Sequence, residues 1–197
     1  MFKAEKILWA LVVIAAVMWF FNVPGKGVLF TLILTSLSLL YYVLGFVVFN
    51  GIGFRQMIGK DGLKGLGWKR IVWGVLMGFC ASLVCLGILF KIQFWPGSAT
   101  MLMSGIILFV ICGIAGLVAL GKNARAWLKT SLLRAGLMTA IAALMFVITD
   151  IHLVSIQYRN DPELAEAWKA ALNNPDNPEL WNKAIDLERS RDMEEAE

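Results

Sequence analysis

The chain reads as an all-α protein: a polytopic bundle of transmembrane helices followed by a short extramembrane helical hairpin. Three observations predict this. Of its 197 residues, 59% are hydrophobic and 16% charged, whereas a soluble domain is nearer half apolar and a quarter charged. The apolar residues fall in five blocks, each near the roughly 20 helical residues that cross a ~30 Å hydrocarbon core. After Gln157 the composition turns abruptly polar, which divides the chain into a bundle, 1–157, and a tail, 158–197.

The five predicted spans are Ile7–Phe21, Val28–Phe49, Ile71–Phe90, Met101–Leu120 and Ala135–Ile156. The first is short and borrows Ala4 or Val23 to reach across. In lipid every backbone N–H and C=O needs a partner within the segment, and no barrel-like alternation is present, so the blocks are helices. "MFKAEK" before the first block resembles the start of a signal peptide, but "MWFFN" after it offers no small-residue cleavage site. The block is therefore read as an uncleaved span. Cys80, Cys85 and Cys112 lie inside spans without CxxC or His-Cys spacing, so apolar packing is expected of them rather than metal binding.

Charge sets the predicted orientation. Lys3 and Lys6, then Arg55, Lys60, Lys64, Lys69 and Arg70, then Lys122, Arg125, Lys129 and Arg134 occupy the N-terminus and alternate gaps; the other two gaps hold only Lys26 and Lys91. Cytoplasmic loops collect Lys and Arg, which places the N-terminus inside and, with five spans, the tail outside. From Tyr158 onward acidic side chains outnumber basic ones, against a formal net charge of +4 for the whole. The basic residues then belong to anionic headgroups, not to nucleic acid.

Between the third and fourth blocks stands "KIQFWPGSATML". Lys91 can extend its ammonium to the headgroups from an apolar stem. Phe94 and Trp95 suit the interface, Pro96-Gly97 reverses the chain, and Ser98 can cap the next helix. An outer hairpin turn explains each residue type. The stretch "GILFKIQFWPGSATMLMSGI" also resembles the Lys-x-x-x-Trp-Pro-Gly hairpin of the gliding-motility GldL family and its type IX secretion relatives, at Lys91, Trp95, Pro96 and Gly97. The resemblance covers spans three and four and implies a bacterial inner-membrane setting with the turn on the periplasmic side. In the family it further implies a two-helix protein, a long cytoplasmic domain, and a proton-driven motor with a glutamate in the second helix. This chain departs there: the helix after the motif has Phe109 near that place and no acid. The hairpin and the setting carry over; the motor does not.

"MWFFNVPGKGVLFTLIL" aligns loosely with "KIQFWPGSATMLMSGII", as a duplicated two-helix unit would, and equally as membrane turns would impose. Gly74, Gly78 and Ser82 place small residues every fourth position, as close helix packing uses, either within the bundle or in self-association. Ala115 with Ala119, and Gly136 with Ala140, extend the pattern. Asp150 and His152 are an ionisable pair in the fifth block. Such a pair is a candidate proton relay when deep in the membrane and an ordinary interfacial pair at its rim. The loop "GIGFRQMIGKDG" fails as a phosphate loop, because five residues separate Gly53 from Gly59-Lys60 and Asp61 follows.

In the tail, Asp161-Pro162-Glu163 and Asn177-Pro178-Glu179 are two helix starts. Leu164, Trp168 and Leu172 form one apolar face; Leu180, Trp181, Ile185 and Leu187 form a looser one. No nucleophile–base pair, metal cluster or cofactor motif is present in the sequence, so an enzyme is not expected and no cofactor is assigned. The expected function is a non-enzymatic inner-membrane subunit or accessory of an envelope complex, GldL-like and related to motility or secretion. Its expected partners are the bilayer and other membrane subunits, or further copies of itself. A small transporter or proton-linked channel using Asp150 and His152 is the second reading.

Overall fold

The computed structural model describes residues 3–21, 23, 25–53, 67–120 and 125–194. The described residues form eight helices and no strand: α1 Lys3–Phe20, α2 Lys26–Phe49, α3 Trp68–Ile92, α4 Ser98–Leu120, α5 Arg125–Val147, α6 Asp150–Gln157, α7 Pro162–Asn173 and α8 Pro178–Glu194. Four of them carry segments long and apolar enough to cross a membrane: Lys26–Phe49, Trp68–Ile92, Ser98–Val118 and Leu128–Val147. Helix α1 has 18 residues and begins with Lys3, Glu5 and Lys6.

The block Ala135–Ile156, expected to be one span, is two helices. Thr149 leaves helical geometry (φ −71°, ψ 152°) and its side chain accepts from the His152 backbone N–H. This N-cap, with Asp150 in the first turn, starts α6 afresh. The candidate crossing segment, Leu128–Val147, therefore lies further toward the N-terminus than the hydropathy block, and it includes Arg134. That arginine is tolerated because it is neutralised inside the bundle, as described below.

Two compact units emerge. The first contains residues 1–12 and 30–147. Its central helix is α3, with 61% of its apolar segment buried, against 28% for α4 and 22% for α5. Small residues decide how closely its helices approach. A Cβ built on Gly78 would lie 2.5 Å from Gly45 Cα and 2.5 Å from Tyr41 O, so α2 and α3 cross backbone to backbone. Between α3 and α4 the knobs alternate. Leu102 sits over Gly87 and Val84 over Gly105, and both side chains are fully enclosed. Further along, the Trp73 indole packs on Gly116 and donates to Cys112 O at 3.1 Å. A buried indole N–H needs such a partner.

The second unit contains residues 13–29 and 148–197. In it Asp161 caps α7 by accepting from Leu164 N–H at 3.0 Å, with Pro162 in the first turn. Asn177 accepts from Glu179 N–H at 3.0 Å at the start of α8. Helices α7 and α8 close on each other through Trp168 and Trp181, whose rings meet edge to face at 5.9 Å. Arg191 reaches Asp161 and Glu163 of the preceding helix start and Glu194 of its own helix. Glu194 first and Asp161 next hold its pKa above the ordinary arginine value. Ile185, expected on the apolar face of α8, is 41% exposed, and the enclosed residue is Ala184. The edge-to-face Trp168–Trp181 pair fixes the contacting face of α8, and Ala184, one helical turn beyond Trp181, is the small residue that lets the helices touch.

Candidate functional site

The Lys91–Ser98 turn is built by the end of α3 folding back on itself. Gln93 N–H bonds Leu89 O at 3.0 Å and Trp95 N–H bonds Phe90 O at 2.8 Å. The Trp95 ring meets Phe90 edge to face at 5.2 Å. Phe94 adopts left-handed backbone (φ 55°) and Gly97 follows with φ 92°. A bulky residue rarely sits there, and burying the Phe94 side chain offsets the strain. Trp95 remains 44% exposed, as an interface aromatic would be. Two details differ from expectation. Lys91, expected to reach the headgroups, is 5% exposed in the last turn of α3. The cap position of α4 is held by Gly97, whose C=O accepts from Met101 N–H at 3.1 Å, and Ser98 is the first helical residue. Gln93 adds a tie to α2 by donating to Thr31 Oγ1 at 2.9 Å.

The comparable turn before α2 also has a left-handed glycine, Gly25 (φ 78°), and Lys26 N–H bonds Val23 O at 3.3 Å. Pro24 lies outside the described residues. So does most of the basic loop, from Phe54 to Leu66, including Gly59-Lys60.

At the other end of α2 stands a buried polar cluster that the hydropathy reading missed. The last carbonyls of a helix have no intrahelical partner. Here Arg134 donates to Val48 O, Ser131 to Phe49 O and Asn50 to Phe46 O. Asn50 also links α3, donating to Arg70 O at 3.0 Å and accepting from Arg70 Nε at 3.2 Å. A cation at a helix C-terminus is favoured by the helix dipole. Its counter-charge is Glu5, 2% exposed, with Oε2 at 3.7 Å from Arg134. Tyr41 Oη donates to Glu5 Oε1 at 3.0 Å and accepts from Trp9 Nε1 at 3.0 Å. One acid, one arginine, a phenol and an indole thus tie α1, α2 and α5 together. The sequence signal for it was Glu5, the one acid before Asp61, standing between Lys3 and Lys6 just ahead of the first apolar block.

Gly74, Gly78 and Ser82 all lie against α2. Gly74 faces Phe46 and Asn50, Gly78 faces Gly45 and Tyr41, and Ser82 Oγ is 2.7 Å from Ser38 Oγ. Asp150 and His152 fall together on the first turn of α6, with His152 Nδ1 at 2.6 Å from Thr149 Oγ1. Phe109 is 3% exposed. Cys80 and Cys112 bring their sulfurs to 4.0 Å, and Cys80, Cys85 and Cys112 are all buried thiols. We predict that excess maleimide leaves these three unlabelled in the native protein and labels all three in dodecyl sulfate, because thiolate formation and reagent entry both need exposure. Intact-mass measurement reads the number added; rapid native labelling would contradict the packing.

With this geometry in place, one comparison decides the hairpin. Residues 76–117 match the GldL N-terminal domain. The match starts in α3, crosses the Lys91–Ser98 turn and ends just short of the end of α4; α1, α2, α5 and the tail lie outside it. No curated protein and no solved structure matches the chain. The GldL-like segment is thus the α3–α4 hairpin of a helical membrane protein with four candidate spans.

Proposed function

We propose that this chain is a non-enzymatic inner-membrane subunit or accessory of a GldL-like envelope complex related to motility or secretion. The observation that carries the reading is the coincidence of the GldL N-terminal match with one hairpin, including Lys91, Trp95, Pro96 and Gly97. Helix α4 of this hairpin carries no charged residue, and Phe109 is buried in it. That favours a passive partner over a motor. Purification of the tagged chain in mild detergent from its own cell is the test. The expected result is a stoichiometric complex with other envelope subunits that Trp95→Ala weakens; recovery of the chain alone would overturn it.

In this reading the chain crosses five times, with the N-terminus cytoplasmic and the tail periplasmic. Helix α1 is about 27 Å long at 1.5 Å per residue, close to the hydrocarbon thickness, and its buried acid is matched by Arg134. The basic bias of the N-terminus and alternate gaps supports the orientation. A cytoplasm-dependent fluorescent reporter fused after Glu197 should stay dark, while the same reporter before Met1 should shine. A bright C-terminal fusion would mean an even number of crossings.

The place of Asp150 and His152 at a capped helix start, beyond the Leu128–Val147 segment, supports an interfacial pair over a proton relay. Asp150→Asn should then leave pH gradients in reconstituted vesicles unchanged relative to the parent chain. Gradient dissipation by the parent that Asp150→Asn abolishes would favour the transporter reading instead.

A further inference from the structure

The geometry points to a binding groove for one anionic phospholipid between α4 and α5, at the end of the bundle where α4 finishes and α5 begins. The groove has a volume of about 430 Å³ and is lined by Leu117 of α4 and by Leu128, Lys129, Leu132 and Leu133 of α5. That size lies within the ~300–1,000 Å³ typical of ligand pockets. Its floor is Leu128, 4% exposed, and its walls include Leu117 and Leu133, both more than half exposed. A Cβ on Gly113 would touch Leu132 at 3.7 Å, so the helices meet there and the groove lies open one turn further on, beside Leu117.

Position and charge select the occupant. The apolar run that includes Leu117 ends at Leu120, and Lys122, Arg125 and Lys129 follow in sequence around Leu128 before the next long apolar run. The groove therefore sits at a membrane boundary. Exposed Leu117 and Leu133 suit acyl chains, and exposed Lys129 suits an anionic headgroup. Basic pockets between transmembrane helices hold anionic headgroups, each basic residue adding attraction near the surface. A second copy of this chain is a poorer occupant. Residues 98–147 contain no Asp or Glu, so a contact of this face with itself would desolvate Lys129 against no counter-charge. This assignment does not depend on the proposed complex.

Native mass spectrometry of the purified full chain, titrated with phosphatidylglycerol or phosphatidylcholine of the same acyl chains, tests it. The expected result is one phosphatidylglycerol retained in preference. Lys129→Ala should weaken that binding about five-fold, toward the phosphatidylcholine value. Lys129→Arg should keep it, and Lys69→Ala, equal in charge lost, should not change it. Leu132→Trp should reduce retention of both lipids by filling the groove. Equal affinities for the two lipids, or equal effects of Lys129→Ala and Lys69→Ala, would overturn the proposal. So would a dimer that Leu133→Trp dissociates, which would assign the groove to a second copy.

Discussion

Gly78→Leu is expected to abolish the native bundle, or to cost about 3 kcal/mol or more where some folded protein survives. Overpacking a core by added methylenes ordinarily costs about 1–3 kcal/mol, because side chains can shift to other rotamers. At Gly78 the obstructing atoms are Gly45 Cα and Tyr41 O, both main chain. Relief requires α2 and α3 to separate. That would also pull Asn50 from Arg70 and Ser38 from Ser82. Gly136 provides the control, since a Cβ there meets nothing within 4 Å. Gly136→Ala should be neutral or stabilising by up to about 1 kcal/mol, as Gly→Ala is within a helix. Thermal loss of monodisperse protein in detergent, followed by gel filtration, reads both variants. Equal midpoints for Gly78→Leu and the parent would mean that α2 and α3 do not cross at this point.

The second large effect concerns the pair buried beside α2. Glu5→Leu removes the counter-charge of Arg134 while leaving the arginine mostly enclosed. Deleting one member of a buried ion pair costs about 3–5 kcal/mol, because the survivor's charge is uncompensated. Arg134 is 17% exposed and keeps Val48 O, so the lower end, about 3 kcal/mol, is expected. Replacing both charges by apolar groups is far milder. Glu5→Leu with Arg134→Met should therefore recover most of the loss, short of about 1 kcal/mol for the uncapped carbonyl. Heat or denaturant midpoints of the four chains form a double-mutant cycle. Additive losses in that cycle would show that the two charges are energetically independent.

These effects indicate which properties could be read along the chain. The Lys91–Ser98 turn was legible, because Pro96 and Gly97 dictate backbone locally and Trp95 marks an interface. The enclosure of Lys91 was not legible, since burial depends on neighbours that the local sequence does not specify. The break before Asp150 carried a local signal, Thr149 followed by an acid, but a hydropathy block averages over a single capping residue. Arg134 seemed to mark the edge of an apolar block because a lone cation disfavours hydrocarbon. It can lie within a candidate crossing segment because Glu5, distant in sequence, neutralises it and the end of α2 offers it a carbonyl.

The sequence by itself determined that this is a helical membrane protein with a GldL-like hairpin and two capped helices in its tail. Each of those properties depends on residues within one turn or one helix: runs of apolar side chains, a Pro-Gly reversal, an acid beside a helix start. Only the tertiary structure decided that Gly78 meets Gly45, that Glu5 meets Arg134, and that α4 and α5 leave a leucine groove under Lys129. Those pairings join residues far apart in the chain. In an apolar environment a sequence of interchangeable leucines and valines does not encode which helix faces which, so packing shape and buried charge make the selection.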